Sequence, residues 1–415
     1  MVPVIDPTES EAWWSASGIE RLRADTPGCA EVIHFNNAGA SLPPRVVLDT
    51  QVAHLHREAL TGGYEAADEA RPRVDATYAS LARLLGARGV DEIALVENST
   101  RAFDMAFYAI PFKADDVILT TTSEYASNYV AFLQVAQRGV RVEVIPNDPD
   151  GQVDLAALKK RLDARVRLIS IPHMPTHNGL LQPAEAIGAL ARDAGAFFLL
   201  DATQTLGQMP VDVRRIGCHA LCATSRKYLR GPRGVGVLWV DRDWIERLDP
   251  VILESHAAEW VEPNRYVVRP DAKRFEVWET NVAARLGFGA AVDYALALGL
   301  ERIWPRIHAL ATRLRERLSA IDGVTLRDTG AVRGGIVTFT VAGSSADAVK
   351  TALRAKRINV VVLRERSILL DMRERGLTEV VRASVHYYNT EAEVDRLALE
   401  VEALSAQGGR RTRQG

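Results

Sequence analysis

Short apolar runs alternate with helical periodicity along most of this chain. Runs at 92–96, 117–120, 142–146, 166–171, 196–200, 220–223 and 235–240 are strand-sized. Between them apolar positions recur at three- and four-residue intervals, as at 155–162 and 183–193, which predicts helices. Another helix is predicted over 45–60, after the start signal Pro43-Pro44. Strand–helix alternation of this kind predicts an α/β architecture around a mainly parallel sheet. Near Asn281 the pattern changes. Two long helical stretches, 282–298 and 300–321, precede strands at 324–327, 335–341 and 360–362 and a helix from Ala346. That is the pattern of a smaller α+β domain.

With 415 residues the chain is long enough for two or three domains. The division expected is an arm over 1–34 packing on the small domain, a large domain over 35–290, a small domain over 291–406 and a disordered tail over 407–415. Apolar residues make up 47% and charged residues 25%, an ordinary globular mixture. A net charge of −2 gives no reason to expect nucleic acid or an anionic membrane as partner. The apolar runs fall well short of the ~20 residues of a membrane span. No basic segment followed by an apolar stretch opens the sequence. Cys29, Cys218 and Cys222 have neither disulfide nor metal-type spacing, so buried free thiols, no metal and a cytoplasmic location are expected.

The chemistry concentrates around Lys227. It follows the apolar run 220–223 and precedes a Gly/Pro turn, Gly231-Pro232-Arg233-Gly234. A lysine desolvated between strands loses proton affinity and can form a Schiff base with a carbonyl. Upstream, Phe197-Phe198-Leu199-Leu200-Asp201 is a buried-type strand ending in a carboxylate. An anion for a pyridinium nitrogen and an amine for an aldehyde are what pyridoxal 5'-phosphate requires. Val96-Glu97-Asn98-Ser99-Thr100 follows a strand and opens a helix, where free N–H groups suit a phosphate. Ser99 and Thr100 are the candidates there.

Together these segments resemble the class V aminotransferase family, the branch with cysteine desulfurases, C–S lyases and isopenicillin N epimerase. The likeness runs from about Phe35 to Leu404 and implies a fold-type I pyridoxal-phosphate enzyme, with a mainly parallel seven-stranded sheet and a smaller C-terminal α+β domain. It implies that Lys227 forms the cofactor Schiff base, Asp201 pairs with the ring nitrogen and Gln204 bonds near the phenolic oxygen. Thr224 and Arg226 stand where the family has a phosphate-binding hydroxyl and histidine. Tyr125, in Glu124-Tyr125-Ala126-Ser127-Asn128, stands where a histidine stacks on the ring, keeping the aromatic face and losing the imidazole. Where the family places an asparagine near the phenolic oxygen this chain has Thr176, with His177 or Asn178 as possible substitutes.

Arg382, in Arg382-Ala383-Ser384-Val385-His386-Tyr387-Tyr388-Asn389-Thr390, matches the family's carboxylate-binding arginine. Asn37 and Ala38 match the segment lining the substrate pocket. Thr280 matches a loop that completes the phosphate site of the other subunit, implying a homodimer with shared active sites. Cysteine desulfurases carry a nucleophilic cysteine on the loop before that arginine; residues 362–372 contain none. Persulfide chemistry needs a thiolate there, so it is expected to be absent, with Arg364 and Arg366 available to a substrate side chain. The reading is an amino-acid-directed enzyme, first a C–S β-elimination lyase, with an aminotransferase or epimerase next and a non-catalytic cofactor-binding homologue last.

Overall fold

In the computed structural model, which describes residues 14–412, all seven apolar runs become strands of one sheet. Their order is Ile93–Val96, Gly236–Val240, Ala220–Thr224, Phe197–Asp201, Val166–Pro172, Val117–Thr121, Arg141–Ile145. Gly236–Val240 runs antiparallel to both neighbours, and the remaining pairs are parallel. Side chains along each strand alternate between two apolar layers. Phe198 and Leu200 belong to one layer, Phe197 and Leu199 to the other. Both faces are therefore covered, which is why the inner strands read as continuous apolar runs. Only the edge strand Arg141–Ile145 is largely open to solvent.

A second, antiparallel sheet has the order Val324–Leu326, Ile336–Val341, Glu379–Ser384, Val361–Arg364. Helices Leu300–Ser319 and Ala346–Ala355 pack against it, and Glu391–Thr412 packs against both helices. The backbone of Glu391–Thr412 stays helical past residue 407, which differs from the expected disordered tail. Residues 1–13 of the expected arm and 413–415 of the tail lie outside the described residues.

The described part of the arm packs on C-terminal residues. Ile33–His34 pairs in parallel with Ile358–Asn359. Arg23 donates to Tyr388 O at 2.9 Å and reaches Glu393 at 2.8 Å. This brings the turn after His34 against the Glu379–Ser384 strand, with Asn36 bridged to Ser384. Among the described residues no single helix is long and apolar enough to cross a membrane.

Candidate active site

The carboxyl ends of neighbouring strands converge on one cleft of about 510 Å³, the place where open α/β sheets expose backbone and side chains together. Thr121 is followed by Ser123 and Tyr125, Pro172 by Met174 and Thr176, Asp201 by Thr203 and Gln204, and Thr224 by Arg226 and Lys227. Asn98, Ser99 and Thr100, entering helix Ser99–Phe107, form another wall.

Lys227 stands on a loop closed at both ends by the sheet, since Thr224 pairs with Gly236 and Ser225 N–H donates to Val235 O at 3.3 Å. Inside the loop, Arg230 N–H donates to Lys227 O at 2.9 Å. Arg230 adopts φ 61°, a left-handed value costly for any residue with a Cβ. Its buried guanidinium holds that conformation through Leu42 O at 2.8 Å and Tyr387 Oη at 2.6 Å, over the rings of Tyr387 and Tyr388. Beneath the loop, Gly207 has φ 97° and a Cβ there would meet the Tyr228 carbonyl carbon at 2.4 Å, so only glycine allows the approach. Burial, then the charges of Arg382 and Arg226, lower the Lys227 pKa to about 7, against the opposing pull of Asp201.

Asp201 is buried at its strand end. Oδ1 accepts the Thr203 N–H at 2.9 Å and Oδ2 accepts Asn128 Nδ2 at 3.3 Å. The same Asn128 nitrogen donates to Glu124 Oε1 at 2.9 Å, so one amide bridges two carboxyl groups. Burial, and secondarily the charge of Asp201, push the Glu124 carboxyl up to about 8. Tyr125, whose N–H donates to Glu124 Oε1 at 2.9 Å, is partly exposed at the cleft.

Arg382 is buried on the Glu379–Ser384 strand and forms no ion pair among the described residues. Nη1 donates to Thr176 O at 2.8 Å and to Thr176 Oγ1 at 2.7 Å; Nη2 donates to Asn36 Oδ1 at 3.2 Å. Nε has no partner. Burial is the first cause lowering the Arg382 pKa to about 10. A buried cation without an anion is costly, and here the Nε–H, unpartnered among the described residues, is free to donate to a carboxylate. Gln204 is similarly incomplete. Its Nε2 donates to Ala38 O at 3.2 Å and Thr176 Oγ1 at 2.9 Å, while Oε1 is buried without a partner.

The structure thus brings Ser99, Thr100, Tyr125, Asp201, Gln204, Thr224, Arg226 and Lys227 to one cleft, with Arg382 behind Thr176. Four expected positions fall elsewhere or turn otherwise. Asn37 is completely buried and spent on the fold: Nδ2 donates to Ser384 O at 2.7 Å and His34 O at 3.1 Å, and Oδ1 accepts from Tyr388 Oη. Ala38 is equally enclosed, its N–H on Ser384 Oγ at 2.9 Å. Asn36 is the residue that meets Arg382. Arg226 lines the cleft, but the guanidinium donates to Gly39 O rather than to any residue of the expected phosphate wall; arginine is long enough to cross to that turn where histidine is not. Thr280 lies apart, lining other pockets with Val277 and Arg285.

The proposed substitutes for Thr176 are also committed. His177 Nε2 is 2.6 Å from Asp371 Oδ2, and Asn178 bonds Thr329 Oγ1 at 2.8 Å. Thr176 itself faces the cleft. Arg364 pairs with Asp347 and so is not free for a ligand. Sequence reasoning missed Asn36, Asn128 and Arg233, which lines the cleft from the Gly/Pro turn. Arg233 is the one with a signal, a cation inside that turn.

The Aminotransferase class-V family matches residues 32–397. A probable cysteine desulfurase of Xylella fastidiosa (strain 9a5c) is 31% identical over 394 residues, covering 91% of this chain and 93% of the relative. The apo structure of cysteine desulfurase from Thermococcus onnurineus NA1 superposes with a TM-score of 0.86 at 27% identity, over 94% of this chain and 98% of that one. The cystine C–S lyase C-DES, in complex with its reaction product cysteine persulfide, superposes at 0.81 with 23% identity over 91% and 99%, a likeness of fold alone. The chain belongs to the class V aminotransferase family. It is a pyridoxal-phosphate-dependent enzyme of fold type I.

The residues present fit that cofactor. A carboxylate at one end of the cleft, an amine with lowered proton affinity, an aromatic ring at the side and hydroxyls at a helix N-terminus supply a partner for each functional group. The unpartnered Gln204 Oε1 and Arg382 Nε mark polar positions that the fold alone leaves incomplete.

Proposed function

We propose that this enzyme is a homodimeric C–S lyase that acts at the α- and β-carbons of a sulfur-bearing amino acid without using a thiol of its own. The observation that carries the reading is a buried Arg382 with no anionic partner among the described residues, held by Thr176 of the cleft that Lys227 lines, a geometry suited to holding an α-carboxylate beside a base. Pyridoxal phosphate, when bound, supplies an electron sink for negative charge at the substrate α-carbon. Asp201, at the strand end and held by Thr203 N–H and Asn128, would pair with the protonated ring nitrogen. Arg382 presents Nε–H and the free Nη2–H to the carboxylate. The Lys227 amine, with its pKa near 7, is substantially unprotonated at neutral pH and accepts the α-proton at Nζ.

The thiol placement favours elimination. Cys218 and Cys222 are buried in the sheet region with proton affinity raised by burial, and Cys29 is pushed up to about 11. None of the three lines the cleft. The dimer is supported by the separation of Thr280 from the cleft and by exposed apolar side chains nearby. Exposed Tyr64 and Trp278 line a second cavity of about 680 Å³ together with Thr280.

The names of the relatives favour a second reading, cysteine desulfurase. Products separate the two. The holoenzyme is incubated with L-cysteine and with L-cystine. Elimination gives pyruvate and ammonia, and the sulfur leaves as a small molecule. Desulfuration gives alanine and a persulfide on the protein. Pyruvate from a variant with all three cysteines replaced by alanine supports the lyase; alanine with a protein persulfide overturns it. Sedimentation of the holoenzyme as a monomer with full activity overturns the shared site.

A further inference from the structure

One buried polar pair lies just outside the cleft. Asp371 belongs to the short helix Leu369–Glu374, and its Oδ2 accepts from His177 Nε2 at 2.6 Å and from Arg375 Nη1 at 3.1 Å. Both His177 and Asp371 are almost wholly buried, and His177 Nδ1 has no partner. The Asp371 N–H, a first-turn donor without an intrahelical acceptor, goes instead to Thr122 O at 3.1 Å.

Asp371 is thereby bonded to two loops of the large sheet at once. Thr122 follows the Val117–Thr121 strand and stands three residues before Tyr125. His177 follows Thr176, whose hydroxyl and carbonyl hold Arg382 and whose hydroxyl also holds Gln204. A buried histidine–carboxylate pair is expensive to desolvate, and apolar side chains of similar volume would anchor a short helix at least as well. Fixing direction is what the polar pair adds. We propose that Asp371 is a positioning residue that holds the Thr122–Tyr125 and Thr176–His177 segments in register, and so fixes the separation of the aromatic face from the carboxylate-binding arginine. Its effect on amino-acid binding rests on the proposed function; its ordering of the two loops does not.

Asp371→Leu removes the carboxylate and keeps the branching of the side chain, whereas Asp371→Asn keeps an acceptor for His177 Nε2–H. Hydrogen exchange of the apoprotein is followed in peptides spanning 122–128 and 173–178, and L-cysteine is titrated into the holoenzyme by its visible absorbance. In Asp371→Leu both peptides exchange tenfold faster or more, the L-cysteine dissociation constant rises tenfold or more, and pyridoxal-phosphate affinity stays within threefold. Asp371→Asn restores both. Faster exchange confined to 365–376, or unchanged L-cysteine affinity, overturns the proposal. Should Asp371→Leu not fold, His177→Leu gives the same test from the other side. Faster exchange at 122–128, which His177 does not touch, supports the proposal, and unchanged protection there overturns it. A wild-type holoprotein blind to L-cysteine overturns the proposed function instead, and the exchange result then decides the positioning role by itself.

Discussion

Thr176 gives both of its oxygens to Arg382, whose Nη1 lies 2.8 Å from the carbonyl and 2.7 Å from the hydroxyl. The same hydroxyl accepts from Gln204 at 2.9 Å. One small side chain therefore contacts both Arg382 and Gln204, each of which has a buried atom without a partner among the described residues, and its own hydroxyl proton is left over as a donor.

Thr176→Val keeps the shape and the carbonyl and deletes the hydroxyl. Arg382 and Gln204 then each lose a buried partner, worth about 1–2 kcal/mol apiece. The amino-acid dissociation constant, read from the holoenzyme spectrum, is expected to rise about tenfold or more, while Thr176→Ser stays near wild type. Equal affinity in Thr176→Val would show that Arg382 does not depend on this contact.

The tandem asparagines should separate by readout. Asn37→Ala strips three buried hydrogen bonds from the fold and is expected to lower stability by about 2 kcal/mol or more, measured by denaturant unfolding. Asn36→Ala removes only the Nη2 acceptor of Arg382. It is expected to weaken amino-acid binding several-fold and leave stability nearly unchanged. Reversal of this pattern would restore Asn37 as the substrate contact.

Lys227 makes the apoprotein sensitive to alkali in a definite direction. Its pKa falls from 10.5 to about 7 on folding. The unfolded chain therefore holds more protons between those values, and stability rises with pH across that window. The contribution is fully present above about 10.5 and is lost as pH falls through about 7. Melting temperatures of wild type and Lys227→Met, compared from pH 6 to 10, should converge upward for the wild type. Parallel curves would mean the amine is not desolvated.

Glu124 acts with the opposite sign. Its carboxyl rises from 4.5 to about 8 on folding, so the folded chain holds the extra proton between those values. Stability is present below about 4.5 and is lost as pH rises through about 8. Glu124→Gln should flatten the fall in apoprotein melting temperature between pH 5 and 8. A slope identical to wild type would mean that Glu124 is charged at neutral pH and that burial does not raise its carboxyl.

Much of this was legible from sequence because burial on both faces leaves a plain mark. The strands Phe197–Asp201 and Ala220–Thr224 are apolar throughout, since each residue meets one of two layers. Helix Gly63–Leu85 was not legible, because Pro72 interrupts its periodicity although the structure carries the helix through it. The hairpin of Ala258–Glu262 and Arg265–Val268 has exposed aromatic residues and no core pattern to announce it. At the site, strand-end residues such as Asp201 and Lys227 could be placed because strand ends define the cleft. Side-chain direction could not. Nothing in Asn36-Asn37 says which amide turns inward, and the Thr176–Arg382 contact joins positions 206 apart in the chain.

The reversed strand Gly236–Val240 has a mechanical consequence for the lysine. Because it returns beside Ala220–Thr224, the segment bearing Lys227 is a clasped hairpin tip, pinned where Thr224 faces Gly236 and braced by Arg230. With the backbone so held, the reach of the amine is set by rotation about the four carbons of its own stem. If Lys227 serves both cofactor and substrate as proposed, an amine of altered tether length at this position would lose one of its two destinations.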